Sequence, residues 1–328
     1  MNQTAAAAET AFLLAHLNRG GTIGVSLIGV AVSAMIYGVT CIQTFQYYRS
    51  ENYKEDQWIV KTLVPVLLVL DSTHEIFIIH IAYHYLITNY GNPQSLELVI
   101  WTIPAEIIVN AVIAFLVDGF FCVRVWKLSQ NRFATGICAF ATVTHLATNL
   151  LYPIRIFAFP SLLEAETKLK ATGTSGLGVG VVADVSISTA MVWSLTKEKI
   201  RSLRTASMVD RLVMLTITSG LLTTVFEIVD LIAYVVAPSL LYNLFFNFLL
   251  GKLYVNAYLT SLNSRDYVRG SNANVVSLNS IVLSSIQMQG METAAGQTMD
   301  SAPGRTMVGT VEDNCGSRTD MNKTGWAV

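Results

Sequence analysis

Residues 63–90 read LVPVLLVLDSTHEIFIIHIAYHYLITNY, and this stretch decides the fold class. It is apolar enough and long enough to cross a membrane, since a spanning helix takes about 20 mostly apolar residues at about 1.5 Å rise each. Yet Asp71, His74, Glu75, His80 and His84 interrupt it. An ionisable side chain in the bilayer centre costs about 3 kcal/mol even on lenient insertion scales. Asp71, His74 and Glu75 stand at i, i+3 and i+4, on one helical face. That face must turn away from lipid, so the rest of the chain must supply a polar interior for it.

The whole composition agrees. Of 328 residues, 52% are hydrophobic and only 13% charged, with a mean hydropathy of +0.50. A soluble domain carries about 25% charged residues. The expectation is an all-α, multi-pass membrane protein embedded in a lipid bilayer. A net charge of −1 gives no basis for nucleic-acid binding. The first twenty residues lack a basic n-region and contain Glu9, so neither a cleaved signal peptide nor a transit peptide is expected. Cys41, Cys122 and Cys138 fall near helix ends and Cys315 in a polar stretch. No spacing among them suggests a metal site or an extracellular disulfide, and small packing residues are expected.

Seven apolar segments are visible, at 22–47, 58–86, 98–126, 133–157, 174–195, 208–236 and 239–262. Each is long enough to span with some tilt. Alternating strands of the barrel kind are absent, as is any internal repeat. The expected layout is a short extracellular N-terminus at 1–21, a seven-helix bundle at 22–262 and a disordered cytosolic tail at 263–328. The tail is rich in Ser, Thr, Asn and Gly and poor in aromatics.

Loop charge sets the orientation. Arg49, Lys54 and Lys61 follow helix one, and Arg124, Lys127 and Arg132 follow helix three. Lys197, Lys199, Arg201, Arg204 and Arg211 lie between helices five and six, and Arg265 and Arg269 follow helix seven. These thirteen stand against four on the other side, Arg19, Arg155, Lys168 and Lys170. The N-terminus is therefore expected outside and the C-terminus in the cytosol, in the plasma membrane rather than an internal one. In the fourth loop, SLLEAETKLKAT, Glu164 precedes Lys168 and Glu166 precedes Lys170 at i, i+4, which predicts a short surface helix. The basic loop 196–211 carries the positive-inside signal and offers a contact for anionic lipid or a cytosolic partner. Asn2-Gln3-Thr4 and Asn322-Lys323-Thr324 are glycosylation sequons at opposite ends.

Five blocks in order carry a resemblance. They are YGVTCIQTFQYY at 37–48, LD-x-x-H with YHYLITNYGNP across 70–93, FFCVRVWKLS at 120–129, RTASMVDRLVMLTITSGLLTTV at 204–225, and GKLYVNAYLTSLNSR at 251–265. Together they resemble a group of fungal, chiefly basidiomycete, multi-pass membrane proteins known as domain of unknown function 6534. The resemblance implies seven helices or nearly so, and no known activity. It also implies that Arg is accommodated at the position of Lys252.

Counting about 1.5 Å per residue along each helix sets the polar residues at depth. His74, Glu75, Glu106, Asn110 and His145 fall in the outer half, with Asp71 and Asp184 near the middle. Glu227 comes near the outer surface and Asp230 beyond it. The expectation is a hydrated, outward-facing cavity in which acids outnumber bases, a site for a small cationic or polar ligand. Asp71, His74, Glu75, Glu106, Asn110, His145, Asp184 and Glu227 are its candidates. Against function stands plain interhelical hydrogen bonding, worth about 0.6 kcal/mol per bond. Lys252 is expected near the inner side, snorkelling, with Asp118 as its salt-bridge partner.

His80 and His84 share a face at i, i+4, but a metal would need further ligands, and His145 is the one other membrane histidine outside this helix. Neither the Asp/Glu-Arg-Tyr nor the Asn-Pro-x-x-Tyr triplet of receptors occurs. Gly-x-Ser-x-Gly and a phosphate-binding glycine loop are absent too, so no cofactor is expected. The reading is a non-enzymatic, receptor-like membrane protein. A proton, cation or small-solute transporter is the alternative, and an intramembrane metal-dependent enzyme ranks third.

Overall fold

The computed structural model describes residues 24–264 apart from 160, 202–205, 237–241 and part of 91–97. The chain divides into two units, Met1–Arg265 and Asp266–Val328, and the described residues all belong to the first. The N-terminus expected at 1–21 and nearly all of the expected tail lie outside them, as does the core of the basic loop.

Seven long helices follow one another among the described residues. They are α1 (Val25–Arg49), α2 (Trp58–Tyr83), α3 (Thr102–Ser129), α4 (Arg132–Ile156), α5 (Leu162–Arg201), α6 (Ala206–Val236) and α7 (242–264). A single turn at Asn52–Glu55 follows α1, and a π-helical turn, His84–Thr88, extends α2. Among the described residues five stretches are long and apolar enough to cross a membrane: Val25–Arg49, Trp58–Thr88, Thr102–Ser129, Arg132–Ile156 and Thr167–Lys197.

The surface is inverted relative to a soluble protein. Met35, Ile42, Val69, Ile76, Phe133 and Phe140 are exposed, while Asp71, His74, Glu106, Asp184, Glu227 and Lys252 are buried. Large apolar side chains around the outside, with charged ones inside, are what lipid as a solvent selects.

Local chemistry explains where the helices stop. The α3–α4 connection is two residues long. Gln130 adopts a left-handed conformation at φ 52° and closes α3 by donating its backbone N–H to Trp126 O. Asn131 then caps α4, its Oδ1 accepting from Phe133 N at 3.0 Å and Ala134 N at 3.4 Å. An asparagine side chain satisfies helix-start amides in just this way. Pro104 falls in the first turn of α3, where no intrahelical N–H is missed.

One expectation is overturned. The short surface helix expected in SLLEAETKLKAT is no separate element, because α5 runs unbroken from Leu162 to Arg201. The glycines at 173, 176, 178 and 180 do not break it. Three of them face neighbours that leave no room for a side chain: Gly173 faces Tyr234, Gly176 faces Asn149 and Gly180 faces Glu227. Small residues serve close helix packing in membranes. The Glu164–Lys168 pair does form, at 2.6 Å on an exposed face. Lys170 donates instead to Val235 O at 3.2 Å, and the Glu166 side chain lies outside the described ones.

Consecutive helices are neighbours, with α3 also packing on α5. The last helix is the spine. From Phe248 to Leu259 every residue but Asn256 is buried. It joins α1 through Asn256–Thr40, α2 through Lys252–Asp71, α3 through Asn247–Asn110 and α5 through Tyr254–Asp184. A helix buried on all sides carries polar residues only where each finds a partner.

Candidate functional site

The buried polar residues fall into three groups. The first surrounds Lys252, which is fully buried. Its Nζ donates to Asp71 Oδ1 at 2.7 Å and to Asp71 O at 2.8 Å, with Glu75 Oε2 at 3.3 Å. The Tyr37 ring lies 5.2 Å from the ammonium, and Ser33 Oγ donates to Glu75 Oε2 at 2.7 Å. Lys252 therefore does not snorkel to the inner surface, and its partners are Asp71 and Glu75, not Asp118. Asp71 and Glu75 stand one turn apart on α2, and together they bracket a cation that enters from α7.

The second group joins α2, α3 and α7. His74 Nε2 meets Glu106 Oε1 at 2.8 Å. Asn247 Nδ2 donates to both Glu106 oxygens at 3.2 and 3.1 Å, and Asn110 Nδ2 donates to Asn247 Oδ1 at 2.9 Å. The close approach needs Gly251, where a Cβ would lie 3.0 Å from Asn110 Oδ1 and 3.2 Å from the His74 ring. His74, Asp71, Glu75 and Glu106 are thus mostly engaged with one another's neighbours. They line neither of the two cavities described next.

The third group lines cavities. The larger cavity holds about 100 Å³, room for several waters or a small molecule. Its apolar wall includes Ile103, Ile107, Leu177, Leu244 and Leu250, and its polar wall Asn110, His145, Asn149, Glu227, Asp230 and Asn247. Among the described residues no Lys or Arg lines it. Glu227 and Asp230 are each 2% exposed, and Glu227 Oε2 and Asp230 Oδ1 have no hydrogen-bond partner. A second cavity of about 30 Å³ is lined by Asp118, Asp184, Ser188 and Thr223 among others. Tyr254 borders both cavities and donates to Asp184 Oδ1 at 3.0 Å.

His145 stands between the two carboxylate sets. Its Nε2 is 3.6 Å from Glu227 Oε1 and 2.8 Å from Asn149 Nδ2, and its Nδ1 is 3.6 Å from Asp118 Oδ2. Gly180 makes this possible. Any Cβ there would run into the Glu227 carboxylate and lie 2.7 Å from His145 Nε2.

The residues expected at one cavity are divided among these groups. Asn110, His145 and Glu227 line the larger cavity and Asp184 the smaller. Asp230, set beyond the outer surface by residue counting, is buried. α6 has 31 residues, about 46 Å of helix, longer than a hydrocarbon core of about 30 Å. Tyr254, which borders both cavities, carries no signal in the sequence, since a tyrosine in an apolar run reads as packing.

The proposed metal pair is otherwise engaged. His80 Nδ1 meets Thr102 Oγ1 at 3.2 Å and His84 Nε2 meets Asn89 Nδ2 at 3.0 Å. Among the described residues no three His, Cys, Asp or Glu side chains converge as metal ligands.

Helices apolar outside and charged inside, five of them fit to cross a membrane, mark the build of an integral membrane protein. Residues 180–267 match the model of a family of unknown function (DUF6534), a match that takes in Gly180, Asp184, Glu227, Asp230, Lys252 and Tyr254. No curated protein and no solved structure matches the chain.

Proposed function

We propose that this protein is a seven-helix plasma-membrane protein, N-terminus outside, that binds a small cationic or polar molecule in the larger cavity as a receptor does. In this reading it is not an enzyme, and the basic loop 196–211 contacts anionic lipid or a cytosolic partner as its output. One observation carries the ligand site: two buried carboxylates, Glu227 and Asp230, face a cavity with oxygens that nothing satisfies. A buried carboxylate without a partner is costly. A cation that fills the cavity removes that cost, and the apolar wall suits a hydrocarbon substituent on it. The loop charges support the orientation, since the cavity lies toward the helix ends with few Lys and Arg.

The test is a thermal melt of detergent-purified protein against a panel of small amines, with Glu227→Gln and Asp230→Asn alongside. A ligand at about 100 times its dissociation constant stabilises by about 2.7 kcal/mol. The expected result is a rise in melting temperature with at least one amine, lost in both variants. A panel without effect, or a shift that both variants retain, overturns the site.

A further inference from the structure

The two cavities lie on opposite sides of one imidazole. The larger is bordered by Thr172 and Gly173 in the half of α5 that meets the few-cation loops, and by Tyr234 of α6 and Asn243 of α7 close to their ends on that side. The smaller is bordered by Phe121 of α3, Met191 of α5 and Gly220 of α6. These positions lie further along each helix toward the cation-rich loops. Between the cavities stands His145, 3% exposed, with a carboxylate of each cavity 3.6 Å from one of its nitrogens.

We propose that His145 is a proton relay that connects the two cavities, and that the protein moves protons across its membrane. A histidine exchanges protons near neutral pH and has two nitrogens at opposite edges, which suits it to shuttling. Glu227 carries a proton from the larger cavity to Nε2. The ring, protonated on both nitrogens for that moment, gives up its Nδ1 proton to Asp118. One proton enters and one leaves, and the ring ends as the other neutral tautomer. A half-turn of the ring turns the N–H back toward the Asp118 side, or a proton passing the opposite way restores the starting tautomer. Asp118 faces the smaller cavity with Asp184, which gives the proton its next acceptor. At 3.6 Å each transfer needs only a small side-chain motion that closes the gap to hydrogen-bond distance.

The groups that bias the relay come from every helix packed around it. They are Asp118 from α3, Asp184 from α5, Glu227 and Asp230 from α6 and Tyr254 from α7. On α4 itself the nearest partner is the neutral Asn149, whose Nδ2 holds Nε2 at 2.8 Å. Among the described residues no Lys or Arg lines either cavity, and four carboxylates grouped around one imidazole cannot all be charged in a buried site without a cation among them. Empty of a cation, the cluster holds protons at rest, as a relay requires. By contrast, Lys252 already brings a fixed positive charge to Asp71 and Glu75, which leaves that pair unsuited to the task.

The experiment reconstitutes the full chain into sealed phosphatidylcholine vesicles with an entrapped pH dye. A potassium gradient and valinomycin impose the membrane potential. Wild type is expected to acidify the lumen faster than empty vesicles do. His145→Gln, which keeps hydrogen-bonding capacity but carries no exchangeable ring proton, is expected to fall to the empty-vesicle rate. Asp118→Asn is expected to do the same, and it carries the decision if His145→Gln fails to fold. His80→Gln, on an exposed face, is expected to conduct as wild type does and shows that losing a histidine is not enough. Wild type no faster than empty vesicles overturns the relay. So does either folded variant conducting at the wild-type rate. The outcome is separable from amine binding, which the melt reads without any flux.

Discussion

Lys252 shows how a single residue fixes the meaning of its neighbours. With one cation between them, Asp71 and Glu75 form an ion set, held further by Ser33 and the Tyr37 ring. Removing one member of a buried ion set leaves an uncompensated charge and costs about 3–5 kcal/mol, whereas replacing the whole set by apolar or neutral groups is often close to neutral. Lys252→Met is therefore expected to lower the melting temperature of the purified protein sharply. The triple variant Lys252→Met, Asp71→Asn, Glu75→Gln is expected to recover most of the loss. A triple variant as unstable as the single one would show that the set does more than balance charge. Gly180 makes the complementary case. A methyl group there collides with Glu227, and overpacking of this kind costs about 1–3 kcal/mol. Gly180→Ala is expected to lower the melting temperature by that order and to abolish any amine-induced shift, because Glu227 must leave the cavity. Gly178→Ala, with open space around its Cβ position, is the matched control. At this scale the sequence was half legible. The acids and histidines stood out as ionisable groups in apolar runs, but which acid meets Lys252 depends on helix rotation, and no periodicity in one chain reveals that.

Helices were the most legible elements. Those expected at 133–157 and 208–236 match α4 and α6 within two residues, because length and hydropathy decide them. The third was expected from 98 and starts at Thr102, since Leu98 to Trp101 extend the apolar run ahead of the first helical residue. The fifth was expected from 174 and begins at Leu162. Polar residues such as Glu164 and Lys168 look like a loop by hydropathy, yet they pair favourably on a helix surface. Centrality was not legible either. Residues 63–90 look like the organising stretch because they concentrate charge, but α7 touches the most polar groups. The α3–α4 turn lends itself to measurement. Asn131→Ala removes a side chain that accepts from two amides and is expected to cost about 1 kcal/mol. Gln130→Gly relieves a left-handed backbone at φ 52° and is expected to gain somewhat less than 1 kcal/mol. Opposite signs in paired melts would confirm that the turn's chemistry, not its length, sets the stability of this connection.

On the scale of the whole molecule, the contacts sort the connections into two ends. At one end Lys127 reaches Gln57 at 3.3 Å, Asn263 reaches Gln43 O at 2.8 Å and Arg124 donates to Ser261. At the other, Tyr85 donates to Leu98 O at 2.7 Å, Leu98 bridges to Ser161, and Lys170 reaches Val235 O. The first end gathers the cation-rich connections and the second those with few cations. Because charged loops near helix ends stay on the cytosolic side, the first end is expected inside and the larger cavity outside. The two sequons turn this into a sharp measurement, since a glycan is added only on the lumenal face. Expressed in a host that glycosylates, the protein is expected to carry a glycan that a glycosidase removes. Asn2→Gln is expected to abolish it and Asn322→Gln to leave it intact. If instead Asn322→Gln abolishes the glycan, the bundle stands the other way up. The larger cavity would then open to the cytosol, its cation would be an intracellular one, and the relay through His145 would face the opposite gradient.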